Sequence, residues 1–254
     1  MNQGFFETVD LAQIVLYAFW IFFAGIIFYI RREDRREGFP LETVHPRKVL
    51  NENNPLIPTP KRFALPDGGE YLAPSFERDE REIEATSALP TSPLDPISDG
   101  MGSNVGPASY AVRENEPEKT YDGHNAIVPM RVATDYSVTG GDDPRGWEVL
   151  ALDDVVVGTV KDIWVDRPEM QARYIEVELV DGEDGETRLM PMTMGVVESD
   201  AQVYRIEAMT AAQFIEIPDI EYEDEITVQE EELICAYFAG GRRYATPKRV
   251  APLI

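Results

Sequence analysis

The chain has one cysteine, Cys235, and two histidines, His45 and His124, in 254 residues. A single cysteine excludes an intrachain disulfide and a cysteine-rich metal centre, and two histidines cannot furnish a multi-histidine site by themselves. Basic residues are scarce: 23 Lys and Arg stand against 47 Asp and Glu, a formal charge of −24. That balance argues against a nucleic-acid partner, which a basic surface would serve, and against a patch that adheres to anionic lipid. Catalytic motifs are also missing. There is no Walker loop, no GxSxG and no HExxH, and the glycines between Gly100 and Gly106 do not join a strand to a helix. Nothing local supports a Ser-His-Asp arrangement. The plain reading of the acidity is solubility or salt adaptation; the functional one is that some carboxylates handle protons.

What the sequence does have is one long apolar run. Residues 11–30, LAQIVLYAFWIFFAGIIFYI, carry no charge, between Asp10 and Arg31. Twenty residues at 1.5 Å rise make roughly 30 Å of helix, the thickness of a hydrocarbon core. A cleaved signal peptide would need a basic start and a shorter core. Here the first ten residues hold no Lys or Arg and do hold Glu7 and Asp10. The run therefore reads as an uncleaved single-pass anchor. Arg31, Arg32, Arg35 and Arg36 follow it directly. Excess Lys and Arg marks the cytoplasmic end, so residues 1–10 are expected in the periplasm and the residues from 31 on in the cytoplasm. Trp20 falls near mid-bilayer, and Gly25 beside Ala24 offers the small surface that close helix approach needs.

Three regions follow. Residues 31–107 hold more than half of the 19 prolines and few apolar runs, so they read as a Pro-rich extended segment without a core of its own. Residues 108–145 are mixed. Residues 146–218 read as a small β-domain. Ile175, Val177 and Leu179 alternate with Tyr174, Glu176 and Glu178, the period of a half-buried strand, and Tyr204, Ile206 and Ala208 repeat the pattern. VVGTVKDIWVD (156–166) is another strand, and Asp181-Gly182 with Asp184-Gly185 punctuates a hairpin between strands near 172–180 and 186–192. Met190, Met192 and Met194 fall on one strand face and read as core filler. In 219–254, Thr227-x-x-Glu230 is a capping box that opens a helix. Leu233, Ile234, Tyr237 and Phe238 form its apolar stripe, Cys235 reads as a buried small hydrophobe, and Gly240-Gly241 as the stop. From residues alone the chain is a membrane-anchored accessory protein with an acidic cytoplasmic domain.

FWIFFAGIIFYI (19–30) and RREDRREGFPLE (31–42) resemble the start of the H subunits of purple bacterial photosynthetic reaction centres. VGPASY (105–110), IVPMRVA (127–133), DPRGWEV (143–149), GTVKDIWVDRPE (158–169), ARYIEVEL (172–179) and EEELICAYFAGGRRYATPKR (230–249) continue the resemblance in the family's order. The Pro-rich stretch shows no close likeness. The resemblance implies one transmembrane helix and an α+β cytoplasmic domain containing a small antiparallel β-barrel, the PRC barrel, and a C-terminal helix. It implies a chromatophore (intracytoplasmic) membrane, L and M subunits as partners, and antenna, cytochrome subunit and membrane lipid as neighbours. Bacteriochlorophyll, bacteriopheophytin, non-haem iron, quinones and carotenoid would belong to the complex, with none held by this chain alone. H would not be catalytic by itself; it would cap the quinone side and help deliver protons to the secondary quinone.

By the same resemblance, Asp166 and Glu169 match acids of the proton path, Arg173 an arginine that steadies them, and Glu230 and Glu231 the acidic pair of the C-terminal helix. Some members take up protons through two histidines in a DGHGHN-like stretch. Here DGHN (122–125) has one. His124 fits the second and Asp122 falls near the first, which puts a two-histidine uptake point in doubt, although an imidazole beside an acid could still collect protons. Each residue also has a structural reading: Asp166 and Glu169 as turn acids, His124 as a surface histidine, Glu231 as a first-turn acid favoured by the helix dipole. The resemblance makes Trp20 and Gly25 packing positions against L and M. A non-photosynthetic membrane-tethered scaffold with a PRC-type barrel is the alternative, because fold alone does not decide function.

Overall fold

A computed structural model describes residues 10–39, 41–42, 49–50, 54–66, 68–75, 81–87, 89, 92–183 and 185–250. His45, Asp184 and the expected periplasmic residues 1–9 lie outside these. The chain divides into two compact units, Met1–Asp79 and Glu80–Ile254.

In the first unit the apolar run forms α1, Leu11–Glu33, three residues longer than the uncharged stretch. Asp10 caps it, its side chain accepting from the backbone of Ala12 at 3.3 Å. No α1 residue is buried, as befits a helix that is apolar all round, and it is long and apolar enough to cross a membrane. At its end Glu33 pairs with Arg36 at 2.8 Å and Lys61 at 3.0 Å. Arg36 also donates to the carbonyls of Thr59 and Ala73, both at 2.9 Å. Lys61 opens β3 (Lys61–Ala64) and Ala73 closes its antiparallel partner β4 (Glu70–Ala73), so one guanidinium ties the helix end to a hairpin. A second ladder pairs β1 (Leu41–Glu42) with β2 (Val49–Leu50). The Pro-rich stretch is thus stapled by short ladders, and in the second unit by a third, β5 (Ile83–Ala85) with β6 (Leu94–Pro96).

The small β-domain of the second unit is a seven-stranded sheet. Its strands are β7 (Ile127–Pro129), β8 (Glu148–Leu150), β9 (Val156–Asp166), β10 (Gln171–Leu179), β11 (Thr187–Pro191), β12 (Gly195–Glu198) and β13 (Val203–Ile206). The order is β11-β10-β9-β8-β13-β12, with β7 also on β9. The long β9 is the spine: its start pairs with β8 and its end with β7. The barrel expected to be antiparallel has one parallel pair, β8 with β13. The chain passes through β9 to β12 before β13 returns beside β8, so the two run the same way. Trp164, Tyr174, Tyr204, Phe214 and Phe238 are fully buried in the core. Phe214 comes from the short α2 (Ala211–Ile215) and Phe238 from α3 (Val228–Tyr244), which precedes α4 (Pro247–Val250).

Four details differ from the sequence pattern. β10 is not half-buried: Tyr174 and Glu176, on the face expected to be polar, are 1 % and 2 % exposed. Only Met190 lies in a strand; the stripe breaks at Pro191, and Met192 and Met194 enter a 3₁₀ turn, still packed on the core. Cys235 is exposed rather than buried, although its sulfur lies 3.8 Å from the Tyr174 hydroxyl. Gly240 and Gly241 do not stop α3, which runs on to Tyr244. They serve close approach: a Cβ on Gly240 would sit 2.8 Å from Ala108 Cβ, and one on Gly241 2.8 Å from the Ala208 carbonyl.

Candidate functional site

The end of β9 and the turn into β10 carry WVDRPEMQAR. Asp166 closes β9 and is 7 % exposed, with Ile127 and Gln171 opposite it in the two flanking strands. Its Oδ1 accepts from the backbone N–H of Glu169 at 3.0 Å, which fixes the turn. Glu169 itself is exposed; its carboxylate accepts from Gln171 Nε2 and lies 3.7 Å from Arg173 Nη1. An exposed pair at that distance adds little to stability, but it places a cation among the acids.

From α3, Glu231 reaches the same place. Its first-turn position comes from the Thr227–Glu230 capping box that starts the helix. Tyr174 of β10 donates its hydroxyl to Glu231 Oε2 at 2.7 Å, and Cys235 Sγ lies 3.8 Å from the same hydroxyl. Arg173, Asp166 and Glu118 also act on Glu231. Burial raises its proton affinity above the ordinary carboxylate range; Tyr174 and Arg173 pull it down, and Glu118 and Asp166 push it up. The fold therefore brings together Asp166, Glu169, Arg173 and Glu231, four of the residues expected from the sequence.

Glu230 stands apart. Its two carboxylate oxygens accept from the backbone N–H groups of Glu221 and Thr227, each at 2.7 Å, so it caps a helix and pins a loop. Asp122 and His124 sit in an exposed turn closed by Thr120 N–H to the His124 carbonyl at 2.7 Å, with Gly123 at φ +82°. That turn leads straight into β7, whose first residue pairs with Asp166. His124 edges an open pocket of about 580 Å³ with Asn125, Arg167, Tyr222 and Glu225. On α1, Trp20 packs its indole on Phe19 and Phe23, and a Cβ on Gly25 would meet nothing within 4 Å among the described residues.

Sequence reading missed Tyr174, Glu118 and a buried charge network. In that network Arg131 Nη1 lies 2.5 Å from Glu176 and 3.4 Å from Asp162, and its Nε 2.9 Å from Asp224. Trp164 Nε1 donates to Glu176 at 2.9 Å and Lys161 Nζ lies 3.2 Å away. The one available signal was acids inside β-branched runs, which strands place inward only when a cation follows them.

Two protein-family models match the chain. One, described as photosynthetic reaction centre, H-chain N-terminal region, covers residues 3–132 and so includes α1, the Pro-rich stretch and β7. The other, the PRC-barrel domain, covers residues 138–213, from before β8 through β13 into α2.

Proposed function

The chain belongs to the photosynthetic reaction-centre H-chain family, and from that premise we propose that it caps the quinone side of L and M and helps bring protons to the secondary quinone. It lies in the membrane through α1, with the N-terminus periplasmic and the PRC-barrel unit cytoplasmic. The arginines at 31, 32, 35 and 36 support that direction. Bacteriochlorophyll, bacteriopheophytin, iron, quinones and carotenoid are held by the partner subunits, and antenna and a cytochrome subunit complete the surroundings. The chain supplies no catalytic group of its own.

Reducing a quinone to quinol takes two protons at a site closed to water. A bare proton does not cross apolar protein; it moves between groups that bind and release it at small cost. The observation that carries the reading is Glu231. It is a half-buried carboxyl of raised proton affinity, with Asp166 and Arg173 acting on it and Glu169 paired to that arginine. A carboxyl whose neutral form burial favours, set beside other acids, is suited to take up and release a proton. Asp122 and His124, on the exposed turn that feeds β7, are the uptake end. The deciding experiment is gentle purification of the chain from its membrane, followed by an absorption spectrum. Bacteriochlorophyll and bacteriopheophytin bands in a stoichiometric complex are expected. A colourless preparation with unrelated partners would point to the tethered scaffold instead.

A further inference from the structure

Tyr174 is 1 % exposed and fixed in β10, so its ring cannot swing and its one freedom is rotation of the hydroxyl. That hydroxyl faces two side chains of α3, Glu231 Oε2 at 2.7 Å and Cys235 Sγ at 3.8 Å. We propose that Tyr174 is a positioning residue for Glu231: it donates to the carboxylate, holds it beside Asp166 and Arg173, and loses hydrogen-bond strength when Glu231 takes up a proton.

A buried phenol must keep a hydrogen-bond partner. Toward a carboxylate it can only donate, because the ionised group only accepts. Once protonated on its other oxygen, Glu231 still accepts from the phenol at Oε2, but a neutral acceptor holds the bond less strongly than a charged one. The Cys235 sulfur is only a weak acceptor, so the phenol hydrogen stays on Glu231 and the bond favours the ionised carboxyl. Burial drives the phenol's own ionisation far above its ordinary range, which keeps Tyr174 a donor throughout and not a proton store. The other charged groups acting on Glu231 are Arg173 of β10, Asp166 of β9 and Glu118 of the segment before β7. The inference rests on the proton-carrying reading of this cluster only for its consequence, not for its geometry.

The test is infrared titration of the full chain in its purified membrane complex, with Glu231→Gln identifying the Glu231 carboxyl band. Tyr174→Phe removes one hydroxyl and keeps the ring. It should move the Glu231 midpoint upward by about one pH unit, the size of a lost hydrogen bond to a charge. A midpoint that stays in place overturns the proposal. Should the variant fail to fold, the unaltered complex decides. A tyrosine C–O band that shifts with the Glu231 midpoint, and disappears from the difference spectrum in Glu231→Gln, supports it; a tyrosine band that never moves overturns it. If the midpoint moves while proton-coupled quinone reduction keeps its pH profile, the positioning role stands and the proton route runs elsewhere.

Discussion

The Arg131 guanidinium lies 2.5 Å from a carboxylate oxygen of Glu176, a side chain only 3 % exposed in the middle of β10. Removing one partner of a buried pair leaves the other charge without compensation, which costs far more than the pair contributes. Arg131→Ala should therefore cost about 3 kcal/mol in denaturant unfolding, the low end for a broken buried pair, because Lys161 and Trp164 still compensate Glu176 in part. Adding Glu176→Gln to that variant should recover part of the loss. A single-variant cost below about 1 kcal/mol would show that Arg131 is dispensable to the sheet.

Glu231 predicts a pH dependence. Its carboxyl is held above the ordinary value of 4.5 in the folded chain, mainly by burial. A group raised in this way contributes its stability fully below the unfolded value and loses it as pH rises through the folded one. Glutamine does not titrate. Glu231→Gln and the parent should melt alike near about pH 4, and the variant should gain on the parent as pH rises from there toward neutrality. Thermal melts across that window check it; a variant that loses ground with rising pH would contradict it.

Close packing at α3 gives a third test. A methyl on Gly240 would press on Ala108 Cβ at 2.8 Å. Gly240→Ala should gain helix propensity yet lose about 1–3 kcal/mol overall through overpacking, read by chemical denaturation. A neutral or stabilising result would mean that the Met101–Ala108 segment yields easily.

Gly25 is the opposite case, with open space around it in the chain itself. Gly25→Leu should leave the chain's own folding untouched while weakening its retention on the partner helices during detergent washing. Equal retention of both forms would remove Gly25 from that contact.

Much of the fold was legible because it is local. VVGTVKDIWVD carries its strand in its own composition, and β9 spans those residues. The Thr227–Glu230 box announces the start of α3 in four residues. What escaped the pattern depends on distant chain. Tyr174 and Glu176 look like the wet face of a strand until α3 covers one and Arg131 meets the other. Gly240-Gly241 looks like a stop until Ala108 and Ala208 are seen to leave room for nothing larger. The parallel pairing of β8 with β13 joins residues that no local period connects. Of the site, Asp166, Glu169, Arg173 and Glu231 were named from resemblance. Their convergence follows from the β9–β10 turn meeting the first turn of α3.

The central claim is that this carboxylate cluster passes protons toward the secondary quinone. Flash-induced electron transfer in the purified complex tests it most directly, comparing Glu169→Gln with the parent across the pH range. The account predicts that the second, proton-coupled electron transfer slows by about a hundredfold, the lower end for loss of a proton-transfer group, while the first stays close to the parent rate. Second-transfer rates that match the parent at every pH would contradict it.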